Sequence, residues 1–168
     1  MSLRIVLDGR WLQRPMHGIA RYTLELLRHM PLGPEDQLMV LYRREDFDPR
    51  SFQRASGSKT PSISWIAVKS PLFSPTDTFE IRPLLHKLRP DVVHYPGFWQ
   101  GALPPCPWVM TLHDLIHLHP PVALKYAGYY RLLHRRLSSQ DPQHSAARVF
   151  TVSHASAKAI KAWAPALA

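Results

Sequence analysis

Short apolar runs, each the length of one buried strand, alternate along the chain with segments of helical periodicity, and this alternation limits the fold more than any other feature. The runs fall at residues 4–8, 37–42, 62–68, 90–95, 109–112 and 148–152. Between them, residues 19–30 repeat Ile19, Thr23, Leu26, Leu27 and Met30 at helical spacing before Pro31 and Gly33 stop the helix. Residues 79–88 place Ile81, Leu84, Leu85 and Leu88 on one helical face, residues 123–139 read as a long basic helix, and residues 157–163 as a last helix capped from Ser153 to Ser156. Continuous apolar strands need cover on both faces, so the chain is expected to be α/β: a Rossmann-like three-layer α/β/α domain with a mainly parallel sheet. The polar, turn-rich stretch 43–61 is expected to be an exposed connection, and residues 70–77 a long loop.

Length and composition agree with one domain over residues 1–168 and no internal repeat. A domain of this size buries about 70% of the surface its unfolded chain exposes. No apolar stretch approaches the ~20 residues of a membrane span. Met1-Ser-Leu-Arg leads directly into a strand-like run with no leader pattern, from which a cytoplasmic location is expected. The single cysteine, Cys106, excludes an internal disulfide and a cysteine-built zinc site, and is expected to be a small buried side chain. A net charge of +9 favours anionic partners without choosing among phosphates, nucleotide sugars, nucleic acid and lipid. The basic residues are spread out and form no recognisable nucleic-acid module, so no nucleic-acid partner is expected.

The densest set of proton-active side chains follows the fifth run, where Thr111-Leu-His-Asp-Leu-Ile-His-Leu-His119 leaves a buried strand. In an open α/β sheet ligands bind beyond the carboxyl ends of the strands, which makes His113 the first catalytic candidate and Asp114 a residue that shapes the loop or orients a sugar hydroxyl. His113, Asp114, His117 and His119 lie too close in sequence to converge on one ion, and no second ligand pair at helical spacing exists, so no metal site is expected. The opening order of strand, loop, Gly18 and helix places unpaired backbone N–H groups and a positive dipole end at a strand tip, suited to phosphate, although the Gly-x-Gly-x-x-Gly signature is absent. Arg21 then faces an anionic ligand while Tyr22 packs. Phe98 and Trp99, at the fourth strand tip, stack on a ligand or fill the loop interior; both readings stand. The basic helix at 123–139 is an ordinary surface helix with a solvated face, or a rest on an anionic membrane, and peripheral contact with the inner membrane face stays open.

Three stretches, in order, resemble the amino-terminal domain of the GT-B fold glycosyltransferases of family 4, the group 1 glycosyltransferases: Asp8-Gly-Arg through Gly18-Ile-Ala-Arg-Tyr-Thr; Pro90-Asp-Val-Val-His-Tyr-Pro; and Thr111-Leu-His-Asp-Leu leading to Phe150-Thr-Val-Ser-His-Ala-Ser156. The resemblance implies a retaining transferase, usually metal-independent, that moves a sugar from a nucleotide-sugar donor to a glycan or lipid-linked acceptor, with no cofactor. It places the acceptor on this domain, Gly18 by the donor diphosphate, His113 near the transferred sugar, and Ser153 at the last turn facing the crevice. This chain has Met16-His17-Gly18 where many relatives carry paired glycines, and the carboxyl-terminal donor-binding domain with its Glu-x7-Glu motif is absent from the sequence. The isolated chain is therefore expected to have little or no transfer activity. The alternative from another class is a non-catalytic Rossmann-like module that binds a sugar or nucleotide or recruits a partner.

Overall fold

The computed structural model describes residues 2–56, 62–120, 123–139 and 148–167. Six strands, β1 (Arg4–Asp8), β2 (Gln37–Tyr42), β3 (Ile63–Ala67), β4 (Val92–Tyr95), β5 (Trp108–Thr111) and β6 (Arg148–Phe150), alternate with α1 (Gly18–His29), α2 (Pro49–Ser56), α3 (Asp77–Leu88), α4 (Ala123–Leu137) and α5 (His154–Trp163). All strand pairs are parallel, in the order β3-β2-β1-β4-β5-β6. The chain winds outward from β1 to β3, then crosses back to β4 and winds the other way. The carboxyl tips of β1 and β4 therefore flank the topological switch point, where diverging loops leave a crevice.

Alternation along the strands builds two cores. Val6, Met39, Leu41 and Met110 face α3, α4 and α5 through Ile81, Leu85, Leu133 and Ile160. Leu7, Leu38 and Val40 point the opposite way, onto Leu24 and Leu27 of α1 and Phe52 of α2. Because successive strand residues face opposite sides, one six-residue strand such as β2 supplies both layers. Burying each large aliphatic chain contributes about 1.5–3 kcal/mol.

The segment expected as an exposed connection instead contains α2. Asp48 accepts from the Arg50 amide at 3.0 Å and opens the helix, and Phe52 is only 3% exposed, against Trp65 at a ring distance of 5.7 Å. Phe47 and Phe52, five positions apart in a polar stretch, do not make a helical repeat, so only the tertiary contact reveals the helix. The sixth strand ends at Phe150 rather than residue 152, leaving Val152 exposed at the sheet's carboxyl edge. Cys106 is partly rather than fully buried, and burial raises its thiol to about 11. The basic helix forms as expected, as α4, and among the described residues no helix is long and apolar enough to cross a membrane.

Candidate active site

A cleft of about 440 Å³ opens over the carboxyl edge of the sheet, lined by His17, Gly18, Ile19, Phe98, His113, Asp114, Ile116, His117, Val152 and Ser156. One wall is the start of α1. His17 caps the helix, its Nδ1 accepting from the Ala20 amide at 3.4 Å, and the first helical bond runs from the Arg21 amide to the His17 carbonyl at 3.0 Å. The amides of Gly18 and Ile19 precede that bond, so the positive end of the helix looks onto the cleft. A Cβ at Gly18 would meet nothing within 4 Å; any larger residue there would project into open space beside the cleft. Partial burial lowers the His17 imidazole below its ordinary value, which keeps its nitrogen free to accept.

His113 leaves the tip of β5 in a fixed pose. Its Nε2 lies 2.9 Å from the Pro96 carbonyl, which can only accept, so Nε2 carries a proton and the tautomer this selects leaves the lone pair on Nδ1. The ring meets Tyr22 at 4.8 Å in a perpendicular arrangement. The Tyr22 hydroxyl in turn pairs with Thr111 Oγ1 at 3.0 Å, and Thr111 pairs with His94 Nε2 at 3.0 Å. Burial in β4 pushes His94 down to about 4, so it is neutral at physiological pH and serves as a hydrogen-bonding strut. This line of side chains joins α1, β5 and β4 beneath His113.

The remaining expected residues separate into those the cleft gathers and those it does not. Asp114 lines it, and its Oδ1 accepts from the Ile116 amide at 3.0 Å, starting a short 3-10 turn over Ile116–Leu118. Phe98 lines it while packed against His117 at 4.5 Å. Ser153, Arg21 and Trp99 do not line it. The Ser153 hydroxyl caps α5, accepting from the Ser156 amide at 3.0 Å, and Ser156 is the side chain that faces the cleft. Arg21 is exposed on α1. Trp99 packs on Tyr129 at 4.8 Å and donates its indole N–H to Asp77 at 2.9 Å, so its polar edge is used inside the protein. His119 is exposed, whereas His117 turns inward with a buried Nδ1 that has no partner among the described residues.

A buried ionic clamp braces the rim. Arg10, 1% exposed, bonds Asp8 through Nε at 2.9 Å and Nη2 at 2.7 Å, Asp77 through Nη1 at 2.5 Å and Nη2 at 3.2 Å, and the Ser70 carbonyl at 3.2 Å. Burial alone would lower the guanidinium's pKa; the two carboxylates outweigh it and hold the charge firmly. Asp8 ends β1 and Asp77 begins α3, so the clamp ties two strand-tip loops together. Sequence reading missed it because residues 10 and 77 are far apart, though the Asp8-Gly-Arg10 spacing was a signal for half of it.

Among the described residues no lysine or arginine lines the cleft; His17, His113 and His117 surround the α1 terminus, and Asp114 is the one carboxylate there among the described residues. Among the described residues no three His, Cys, Asp or Glu side chains gather as metal ligands. A parallel sheet of this order, with a helix terminus and a strand-tip histidine at the switch-point crevice, defines a Rossmann-like α/β domain with its cleft at the carboxyl edge. The chain belongs to Glycosyltransferase Family 4, whose family model matches residues 16–166. It is thus a glycosyl-transfer domain of the Rossmann-like half of a GT-B architecture. Neither a curated protein nor a solved structure gives a match.

Proposed function

We propose that this chain is the acceptor-side domain of a retaining glycosyltransferase that moves a sugar from a nucleotide-sugar donor to a sugar or lipid-linked acceptor. The observation that carries the reading is the meeting of His113, in one fixed tautomer, with the amino terminus of α1 across a single cleft. Breaking the bond between the sugar and the diphosphate leaves negative charge on the departing oxygen. The Gly18 and Ile19 amides and the α1 dipole stabilise that charge. The His113 Nδ1 lone pair accepts from a hydroxyl of the transferred sugar and so fixes the ring. The acceptor oxygen bonds to the anomeric carbon on the face the diphosphate leaves, and its proton passes to the departing phosphate oxygen. No metal or cofactor is required in this scheme.

The base and ribose of the donor fall to a second Rossmann-like domain across the crevice, so the 168-residue chain alone transfers little or no sugar. Transfer takes place in the cytoplasm, with any membrane contact peripheral. The test is His113→Ala in a protein that carries both domains. Turnover should fall on the order of 10- to 100-fold, the worth of one hydrogen bond to a charged or reacting group, with the circular dichroism spectrum and melting point unchanged. Wild-type turnover in that variant would overturn the assignment.

A further inference from the structure

Phe73 stands in the loop between β3 and α3, on the same edge of the sheet as the cleft, and its backbone is in the left-handed region at φ 63. For a bulky residue that conformation is disfavoured, whereas asparagine or glycine adopts it readily. The ring it holds in place is 41% exposed. Its inner face packs on Trp99 at 4.8 Å, Phe98 at 5.4 Å, Trp11 at 5.9 Å and Tyr126 at 5.9 Å. Trp11 and Phe98 are buried and Trp99 and Tyr126 half-buried, so Phe73 is the exposed ring of an otherwise enclosed aromatic stack.

The polar edges of Trp99 and Tyr129 below it are already engaged, while the buried Trp11 indole N–H has no partner among the described residues. Trp99 donates to Asp77, and the Tyr129 hydroxyl donates to the Phe98 carbonyl while accepting from the Gln100 amide at 2.9 Å. What Phe73 offers outward is a π face, its ring 41% exposed. Phe98 touches both Phe73 and the cleft residue His117, so this shelf is the next position outward from His113 along the rim. One ring matches one sugar face, and the adjacent Leu72 is half-buried against the core rather than offered outward.

We infer that Phe73 is a stacking subsite for a neutral pyranose ring of the acceptor, held through its C–H face. This rests on the transferase reading and adds the chemistry of the acceptor: a glycan unit, recognised one position beyond the reacting hydroxyl. The strained backbone is kept because the ring, not the turn, is what the loop presents.

The experiment is an NMR titration of the ¹⁵N-labelled 168-residue chain with methyl glycosides of glucose, galactose, mannose and N-acetylglucosamine, read at the indole N–H signals of Trp11 and Trp99. At least one glycoside should shift both signals saturably. Phe73→Asn relieves the backbone strain as it gives up the ring's packing, and with the fold confirmed by its amide spectrum it should weaken binding tenfold or more; Phe73→Leu, which keeps apolar packing without a π face, should weaken it likewise, and Phe73→Tyr should retain it. The inference is overturned if no glycoside produces a saturable shift, or if Phe73→Asn binds as tightly as the wild type. Anionic phospholipid vesicles in place of glycosides test the other occupant: broadening of Trp11 and Trp99 by vesicles alone counts against a sugar subsite. The readout does not involve His113, so wild-type turnover in His113→Ala would strike the transferase reading and leave this titration untouched.

Discussion

Replacing Arg10 with methionine removes the cation of the buried clamp and leaves Asp8 and Asp77 enclosed without a positive partner. The side chain makes contacts to two carboxylates and one carbonyl, all shielded from water. Deleting one partner of a buried ion pair costs about 3–5 kcal/mol, because the desolvation penalty of the remaining charge is no longer offset. Against a typical total of about 5–15 kcal/mol this is a large share, and it corresponds to a fall of roughly 6–20 °C in melting temperature. The pH dependence gives a second check. In the variant nothing offsets the desolvation of the two carboxylates, and protonating them relieves that cost, so stability is regained as pH falls. The gap between wild type and Arg10→Met should therefore narrow between pH 7.5 and 5. Urea unfolding followed by circular dichroism reads both quantities as midpoint shifts at constant m. A loss under about 1 kcal/mol at pH 7.5, or a gap that widens on acidification, would refute the account of Arg10 as the clamp's charge balance.

Two further outcomes follow from the strand tips. His94, held down to about 4 by burial, binds fewer protons folded than unfolded, so its contribution is fully present above its unfolded value near 6.5. That contribution is lost as pH falls from there toward 4, and amounts to about 3 kcal/mol. His94→Gln keeps a partner for Thr111 and should flatten that part of the stability profile in urea unfolding at pH 7.5 and 4.5; an unchanged profile would remove His94 as the cause. Gly97→Ala places a Cβ 2.5 Å from Trp11 Cε2, so the rim must shift. A loss of about 1–3 kcal/mol is expected, with a change in tryptophan fluorescence, and a silent Ala variant would mean that the loop is slack.

Most of the fold was legible because each strand is a local signal: an apolar run ended by Gly, Pro or a polar side chain. Alternation with helices implied a mainly parallel sheet, but the order of the strands, with the reversal between β1 and β4, is set by pairing across the sheet and came from the structure. Helix α2 escaped because the burial of Phe52 is defined by Trp65 across the layer and not by any repeat within the helix. The site divided along the same line. Gly18, His113 and Asp114 were visible because they sit immediately beyond a strand or at a helix start, where position alone determines which way they face. Ser153, Arg21 and Trp99 occupy similar positions, yet their direction is decided by partners: Ser156 for the first, solvent for the second, Asp77 and Tyr129 for the third.

Asp77 connects the two halves of that lesson. It receives Arg10 from the β1 tip and the Trp99 indole from the β4 tip, and a Cβ at Gly101 would collide with its carboxylate. One carboxylate thus fixes the start of α3, the loop after β4 and, through Trp99, the underside of Phe73. The cleft's outer rim is organised by a residue that reaches neither the cleft nor solvent. Such a residue leaves no mark in a chain read locally, because its role consists entirely of contacts between segments that the sequence keeps apart. The histidine at the strand tip can be found from the sequence, while the device that holds the surrounding wall requires the structure.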